Sequence, residues 1–170
     1  MDSKLTLFSQ IISKIDRVIF KKIVKEKKTD YRNKGFDSWT HLVSMLFCHF
    51  AKSTSVRDIS NGLRSATGNL NHLGIKTAPS KSSISYQNGK RDADLFKDLY
   101  FKLLEQLGQH TKERRIKLKI KVPVYLLDST LISLCLSLFD WATYRTKKGA
   151  VKMHTLLEYD GKLPVYVNIT

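Results

Sequence analysis

The sequence predicts an α+β protein in which an all-helical domain comes first and strands follow. Two observations support this order. Up to about residue 110, apolar side chains recur at three- and four-residue steps, which is the spacing of amphipathic helices. After that point, basic or polar side chains alternate with apolar ones, as in half-buried strands. We therefore predict a helical domain over residues 1–110 and a strand-rich domain over residues 111–170.

The first three helices are predicted from periodicity and capping residues. One continuous helix is expected over LFSQIISKIDRVIFKKIVKEKK, with isoleucines on one face and lysines on the other. The stretch TDYRNKGF breaks it, and Asp37 or Ser38 can cap the second helix. A third, short helix is expected from about Val56 to Arg64. Ser55 would cap it, with Asp58 in the position of a capping-box acid.

Two more helices complete the predicted helical domain. Glycines and asparagines make a loop over residues 68–74. The next helix is expected to start near Ser80, because Pro79 fixes the approach and the neighbouring serines supply capping oxygens. The last helix, DADLFKDLYFKLLEQLGQH, is strongly periodic and is predicted to end at Gly108.

The strand-rich domain is predicted to contain three strands after a basic, alternating stretch, TKERRIKLKIK. The first strand reads PVYLLD and is expected to end at Asp128. Two further strands flank a turn at Asp160 and Gly161 within GAVKMHTLLEYDGKLPVYVNIT. Three strands are stable only when a hydrophobic face packs on something, so we expect these strands to open a larger domain.

The charge of the chain favours a polyanionic partner. The chain contains 30 lysines and arginines and 15 acidic residues, so its formal charge is +15 and its pI is near 9.9. Nucleic acid is the simplest such partner, and a basic protein of unrelated role is the alternative. Cys48 and Cys135 lie in apolar runs and are expected to be core residues in a reducing compartment. We see no signal peptide and no apolar stretch long enough for a bilayer, so we expect a cytoplasmic protein without membrane contact.

Two polar segments are candidates for DNA contact. The helix after Pro79 carries side chains that donate hydrogen bonds to phosphates or base edges, and its N-terminus favours anions: Lys81, Ser82, Ser85, Gln87, Lys90 and Arg91. The alternative is that the serines only cap a helix with a solvated polar face. Arg114 and Arg115 belong to the basic run, which could contact phosphates, protect an edge strand from aggregation, or do both.

Asp128 is the one carboxylate in PVYLLDSTLISLCLSLF. Its burial without a partner would be costly, so it could cap a helix, line a metal site or end a strand in solvent. A strand that holds a carboxylate rigidly and is followed by hydroxyl side chains suits the first position of a metal-dependent phosphoryl-transfer site.

The segment LLDSTLISLCLSLFDWATYRTKKGAVKMHTLLEYDGKLP closely resembles the first catalytic block of DDE transposases of bacterial insertion sequences, in the insertion-sequence-four group. The segment SVRDISNGLRSATGNLNHLGIKTAPSKSSISYQNGKRDADLF resembles the helical domain that precedes that block, so the resemblance covers nearly the whole chain. The resemblance implies a ribonuclease H-like sheet, three acidic residues that hold two Mg²⁺ or Mn²⁺ ions, and cleavage and transfer of DNA strands during transposition. The implied partners are the terminal inverted repeats of the element, with a possible homo-oligomer.

The resemblance also assigns residues. Asp128 matches the first acidic residue, which is catalytic and binds metal, and the basic segment after the first strand supplies DNA contacts at Arg145, Lys147, Lys148 and Lys152. A lone histidine, His154, is more simply a packed or solvent-facing residue. No residue matches the second aspartate or the final glutamate, so we expect a truncated, inactive fragment with the first three strands of an incomplete sheet. The alternative is a non-catalytic DNA-binding module that recognises element ends.

Overall fold

The computed structural model describes residues 2–33, 35–66, 70–111, 122, 124–134, 143–144, 148–159 and 163–170. The chain divides into two compact units, Met1–Leu99 and Tyr100–Thr170. Helices come first and an antiparallel sheet follows, which confirms the α+β class. The described elements are α1 (Asp2–Ser13), α2 (Arg17–Lys27), α3 (Ser38–Phe50), α4 (Val56–Ser65), a short 3₁₀ helix (Leu70–Leu73), α5 (Lys81–Lys90), α6 (Asp94–Thr111), β1 (Tyr125–Leu134), β2 (Thr143–Tyr144), β3 (Lys148–Glu158) and β4 (Pro164–Ile169).

The prediction of a single helix at the N-terminus is wrong, because α1 ends at Ser13 and α2 begins at Arg17. Asp16 lies between them and caps α2. Its Oδ1 atom accepts hydrogen bonds from the backbone N–H groups of Val18, at 2.8 Å, and Ile19, at 3.2 Å. A carboxylate that satisfies free N–H groups in this way favours a helix start over a helix interior.

The other predicted helix starts are confirmed by their capping bonds. Asp37 Oδ1 accepts from the N–H of Thr40 at 2.7 Å, and Ser55 and Ser80 each accept from the N–H three residues on at 3.1 Å. The predicted end at Gly108 is wrong, since α6 continues to Thr111. One glycine inside a helix costs only about 1 kcal/mol relative to alanine, which a long apolar helix tolerates.

The core of the first unit lies between its helices. Phe20 and Trp39 meet edge to face, with ring centroids 5.4 Å apart. The indole N–H of Trp39 donates to the carbonyl of Leu73 at 2.8 Å, which ties α3 to the 3₁₀ helix. Cys48 is buried as predicted, whereas Cys135 lies outside the described residues. Other side chains of this core are Ile12, Val43, Ile59, Leu63, Ile75, Ile84 and Leu95.

The sheet is built around β3. On one edge it pairs with β1, and on the other with β2 near its start and β4 along its later part, all antiparallel. The described sheet therefore has four strands where we expected three, the extra one being the two-residue β2. The β3–β4 hairpin is confirmed by its pairing, while the predicted turn residues 160–161 and the alternating stretch 112–121 fall outside the described residues.

The prediction that the first strand ends at Asp128 is wrong. It is the fourth residue of β1, which continues to Leu134 because its backbone stays paired with β3 as far as Gly149. None of the helices that the structure describes combines the length and the apolar character that a bilayer crossing requires.

Candidate nucleic-acid interface

One face of α5 is open to solvent and carries polar side chains. The exposed residues follow the helical repeat, so they form a continuous stripe along the helix: Lys81, Ser82, Ser85, Tyr86, Gly89 and Lys90. The opposite side is anchored by Ile84, which is fully buried. The sequence of α5, KSSISYQNGK, contains no acidic residue. The stripe therefore offers hydrogen-bond donors and two lysines to an anionic ligand without a carboxylate to repel it.

The start of α5 is held in place by a buried hydrogen bond from α4. The hydroxyl of Ser60, which is buried, donates to the carbonyl of Pro79 at 2.8 Å. Pro79 directly precedes Ser80, the N-cap of α5. The Ser80 hydroxyl also lies 3.0 Å from that of Ser82 and 2.9 Å from that of Ser83. The first turn of α5 is thus fixed by the fold, and the Ser80 hydroxyl already lies within hydrogen-bond distance of two other serine hydroxyls there.

The end of α5 is held by Arg91, whose side chain is only 1% exposed. The Nη2 atom of Arg91 donates a hydrogen bond to Asp30 Oδ1 at 3.2 Å, within an ion pair, and another to the carbonyl of Phe36 at 3.1 Å. Burial lowers the pKa of Arg91, and the carboxylates of Asp30 and Asp37 oppose that effect. The sequence assigned Arg91 to DNA contact. The structure instead gives this guanidinium an internal role, because its charge is enclosed and paired.

The remaining α5 candidates differ in exposure. Lys81, Ser82, Ser85 and Lys90 are exposed, whereas Gln87 is half-buried. The ammonium group of Lys90 donates to the Tyr86 hydroxyl at 3.0 Å and lies 5.2 Å from the centre of its ring. Tyr86 was not among the DNA contacts predicted from the sequence. Its signal is an aromatic residue four positions before a lysine in an otherwise polar helix, since such residues meet on one helix face.

The candidates in the strand-rich unit are less fully described. Arg114, Arg115, Arg145 and Lys147 lie outside the described residues. Lys148 is the first residue of β3, and Lys152 is an exposed residue in the same strand. The backbone of Lys152 exchanges two hydrogen bonds with Thr170, at 2.8 and 2.9 Å. The structure therefore places two of the six basic residues on β3, and DNA contact by all six stays a prediction.

Asp128 is exposed on β1, opposite Thr155 of β3. Its Oδ2 atom accepts a hydrogen bond from the Thr130 hydroxyl at 3.0 Å. Because successive side chains alternate between the faces of a sheet, Glu158, which pairs with Tyr125, lies on the opposite face from Asp128. His154 lies on that opposite face too. Asp128 is thus the one carboxylate among the described strand residues of its face.

A two-metal magnesium site needs several hard oxygen ligands, with carboxylates that bridge or flank the ions. Near Asp128 the described residues of the same face add only threonine hydroxyls. Within the part of the chain that the structure describes, no three histidine, cysteine or acidic side chains are grouped as metal ligands would be. Among the described residues, this donor set does not fit the two Mg²⁺ or Mn²⁺ ions that the resemblance implies.

Comparison with known proteins bears on the first helices. Residues 3–76, from α1 through the 3₁₀ helix, match the family model described as a domain of unknown function (DUF4372), which is found in transposase-like proteins. No curated protein and no solved structure matched the chain. The match ends before α5 and the sheet. Over its first four α-helices, this chain is therefore similar to a domain found in transposase-like proteins.

Proposed function

We propose that the protein binds DNA, as a relative of insertion-sequence transposases, and that α5 is its main DNA-contacting helix. The observation that carries this proposal is the exposed stripe of α5, which presents donors and no acid on a helix held at both ends. The formal charge of +15 and the similarity of residues 3–76 to a domain found in transposase-like proteins support it.

The chemistry of the stripe suits the DNA backbone first. Lys81 and Lys90 stand near opposite ends of α5, and each would neutralise a phosphate and release counterions. The hydroxyls of Ser82 and Ser85 can donate hydrogen bonds to phosphates, and they can both donate to and accept from base edges. A single hydroxyl selects among bases more weakly than a side chain that makes two hydrogen bonds to one base. The major groove is about 12 Å wide and admits an α-helix. We therefore expect affinity to depend strongly on salt, with a modest preference among sequences.

A binding titration tests the proposal. Fluorescence anisotropy would compare a duplex that carries the inverted repeat flanking the coding sequence with a shuffled duplex, at several salt concentrations. Lys81→Ala and Lys90→Ala should each weaken binding and lower the slope of log affinity against log salt by about 1. Lys14→Ala removes an exposed lysine between α1 and α2 and is the matched control.

Two results would contradict this assignment. If both α5 variants bind as the Lys14→Ala control does, α5 is not the contacting helix. If the unaltered protein binds both duplexes equally and only the salt slope remains, recognition of element ends is rejected and non-specific binding is left.

A cleavage role would rest on Asp128, as the first carboxylate of the metal-dependent site that the resemblance implies. The geometry around it favours a second candidate function for the 170-residue chain, a DNA-binding module without chemistry, because its face of the sheet offers one carboxylate among the described residues. We expect this chain to bind DNA without cutting it in Mg²⁺ or Mn²⁺. Robust metal-dependent cleavage that disappears in Asp128→Ala would show that the expectation is wrong.

A further inference from the structure

The turn between α2 and α3, residues 28–33, separates its side chains into two groups. Thr29, Asp30 and Asn33 are half-buried and bond to the protein interior, whereas the exposed residues Lys28, Tyr31 and Arg32 face solvent. We call this segment the α2–α3 turn. Neither the predicted DNA contacts nor the α5 stripe includes it.

The inward side chains hold the turn in one conformation. Asp30 Oδ1 accepts from both the N–H and the hydroxyl of Ser38, each at 2.8 Å, and from Arg91. The Asn33 side-chain amide donates to the carbonyl of Phe36 at 2.7 Å, and the Thr29 hydroxyl lies 2.9 Å from that of Ser38. These bonds join the turn to the first residue of α3 and to the end of α5. A ligand that binds the turn would therefore meet an already ordered surface.

The outward side chains form an aromatic and cationic platform on that ordered base. Tyr31 is 72% exposed, and the guanidinium carbon of Arg32 lies 5.2 Å from the centre of its ring. Lys28 and Arg32 have φ angles of 53° and 57°, in the left-handed region that residues other than glycine seldom adopt. At Lys28 this conformation is the left-handed C-cap that ends α2, and at Arg32 it persists because the bonded side chains around it hold the turn.

We propose that the α2–α3 turn binds an unpaired nucleotide of DNA, with the base stacked on Tyr31 and the phosphates next to Arg32 and Lys28. This inference rests on the proposed DNA binding. Bases in a duplex are stacked on one another, whereas an unpaired base offers its whole face to an exposed aromatic ring. A planar guanidinium beside the ring adds both charge and a second stacking surface.

The connection to α5 makes the turn reachable by the same DNA. Arg91 directly follows Lys90, the last residue of α5, and its guanidinium bonds to Asp30 in the turn. The turn therefore lies at the C-terminal end of the α5 stripe. A duplex held along α5 would bring a single-stranded end or a displaced base towards Tyr31.

The experiment uses the full chain and two labelled probes, a blunt duplex and the same duplex with a single-stranded extension. The unaltered protein should bind the extended probe more tightly. Tyr31→Leu should lower affinity for the extended probe about tenfold while leaving the blunt duplex unchanged, and Tyr31→Phe should retain the parent affinity because the ring face remains.

A pair of matched variants tests whether the charge of Arg32 contributes to binding. Arg32→Asn removes the guanidinium and keeps a residue that tolerates the left-handed conformation. Lys52→Asn makes the same change of charge at an exposed residue with a φ of 52°, in the segment after α3. Arg32→Asn should weaken binding of the extended probe more than Lys52→Asn does. An iodouracil base in the extension should also photo-crosslink to Tyr31.

The outcomes separate this inference from DNA binding by α5. If Tyr31→Leu binds the extended probe as the parent does, or weakens both probes equally, the unpaired-base site is rejected. If the unpaired-base site is rejected while the α5 lysine variants still weaken binding, DNA binding by α5 remains supported without it. If the parent binds neither probe, both proposals are rejected.

Discussion

Acidification should destabilise the first unit through His41. This residue lies on α3 and is 2% exposed, with its ring centre 5.5 Å from that of Phe36 and 5.4 Å from that of Phe96. Burial, first, and the nearby Arg91 cation, second, lower the pKa of His41 from 6.5 to about 4, although the side chain of Asn88 opposes both effects. The folded protein thus holds a neutral imidazole at neutral pH.

The sign and size of the effect follow from the two pKa values. An unfolded chain protonates this histidine below pH 6.5, whereas the folded chain does so only near pH 4. The contribution is therefore present in full above pH 6.5 and is lost as the pH falls towards 4. At about 1.4 kcal/mol per pKa unit, the loss in the free energy of unfolding is about 3 kcal/mol.

Urea unfolding, followed by the helical circular dichroism signal between pH 7 and pH 4, measures this loss. His41→Phe keeps an aromatic ring and cannot titrate, so its stability should fall by about 3 kcal/mol less than that of the parent. His72→Phe changes an exposed histidine and should follow the parent. If His41→Phe and the parent lose stability in parallel over this range, the reasoning about a buried neutral His41 is refuted.

Two further predictions concern packing and the ion pair at the end of α5. Gly62→Ala should destabilise the protein by up to about 2 kcal/mol, because the new Cβ would lie 2.6 Å from the ring of Phe47 and this clash, about 1–3 kcal/mol, exceeds the gain of about 1 kcal/mol in helix propensity. Adding Phe47→Leu should recover part of that loss in thermal unfolding. Asp30→Asn should cost about 2–3 kcal/mol in urea unfolding because it leaves the Arg91 guanidinium enclosed without its carboxylate. Asp92→Asn, at an exposed carboxylate, should change stability by less than about 0.5 kcal/mol, and equal effects of these two variants would contradict the role of the ion pair.

Local chemistry explains which parts of the fold could be predicted. The helix starts at Asp37, Ser55 and Ser80 were predictable because each cap bonds to an N–H group three residues away. Asp16 acts in the same way, yet it was missed because the apolar repeat continues on both sides of it. The strand of Asp128 was predicted from alternation, but its length depends on pairing with β3, which a single stretch of sequence does not contain.

Long-range contacts explain what could not be predicted of the candidate site. Arg91 has the composition of a DNA contact, and only its bond to Asp30, 61 residues earlier, shows that it is internal. The α2–α3 turn was predicted simply as a break between helices. Its division into bonded and exposed side chains depends on Ser38 and Arg91, so the exposure of Tyr31 follows from the tertiary structure. DNA binding and the ribonuclease H-like character of the sheet stay predictions.

The bond between Asp30 and Arg91 also sets the minimum length of an autonomous first unit. The family match stops at residue 76, so it contains the carboxylate and omits the guanidinium. A polypeptide cut at that point would lose α5 from its packing on α3 and α4 and leave the hydroxyl of Ser60 without the Pro79 carbonyl. Expression of this unit as a separate protein should therefore extend at least through Arg91, and sequence changes at positions 30 and 91 should occur together in related chains.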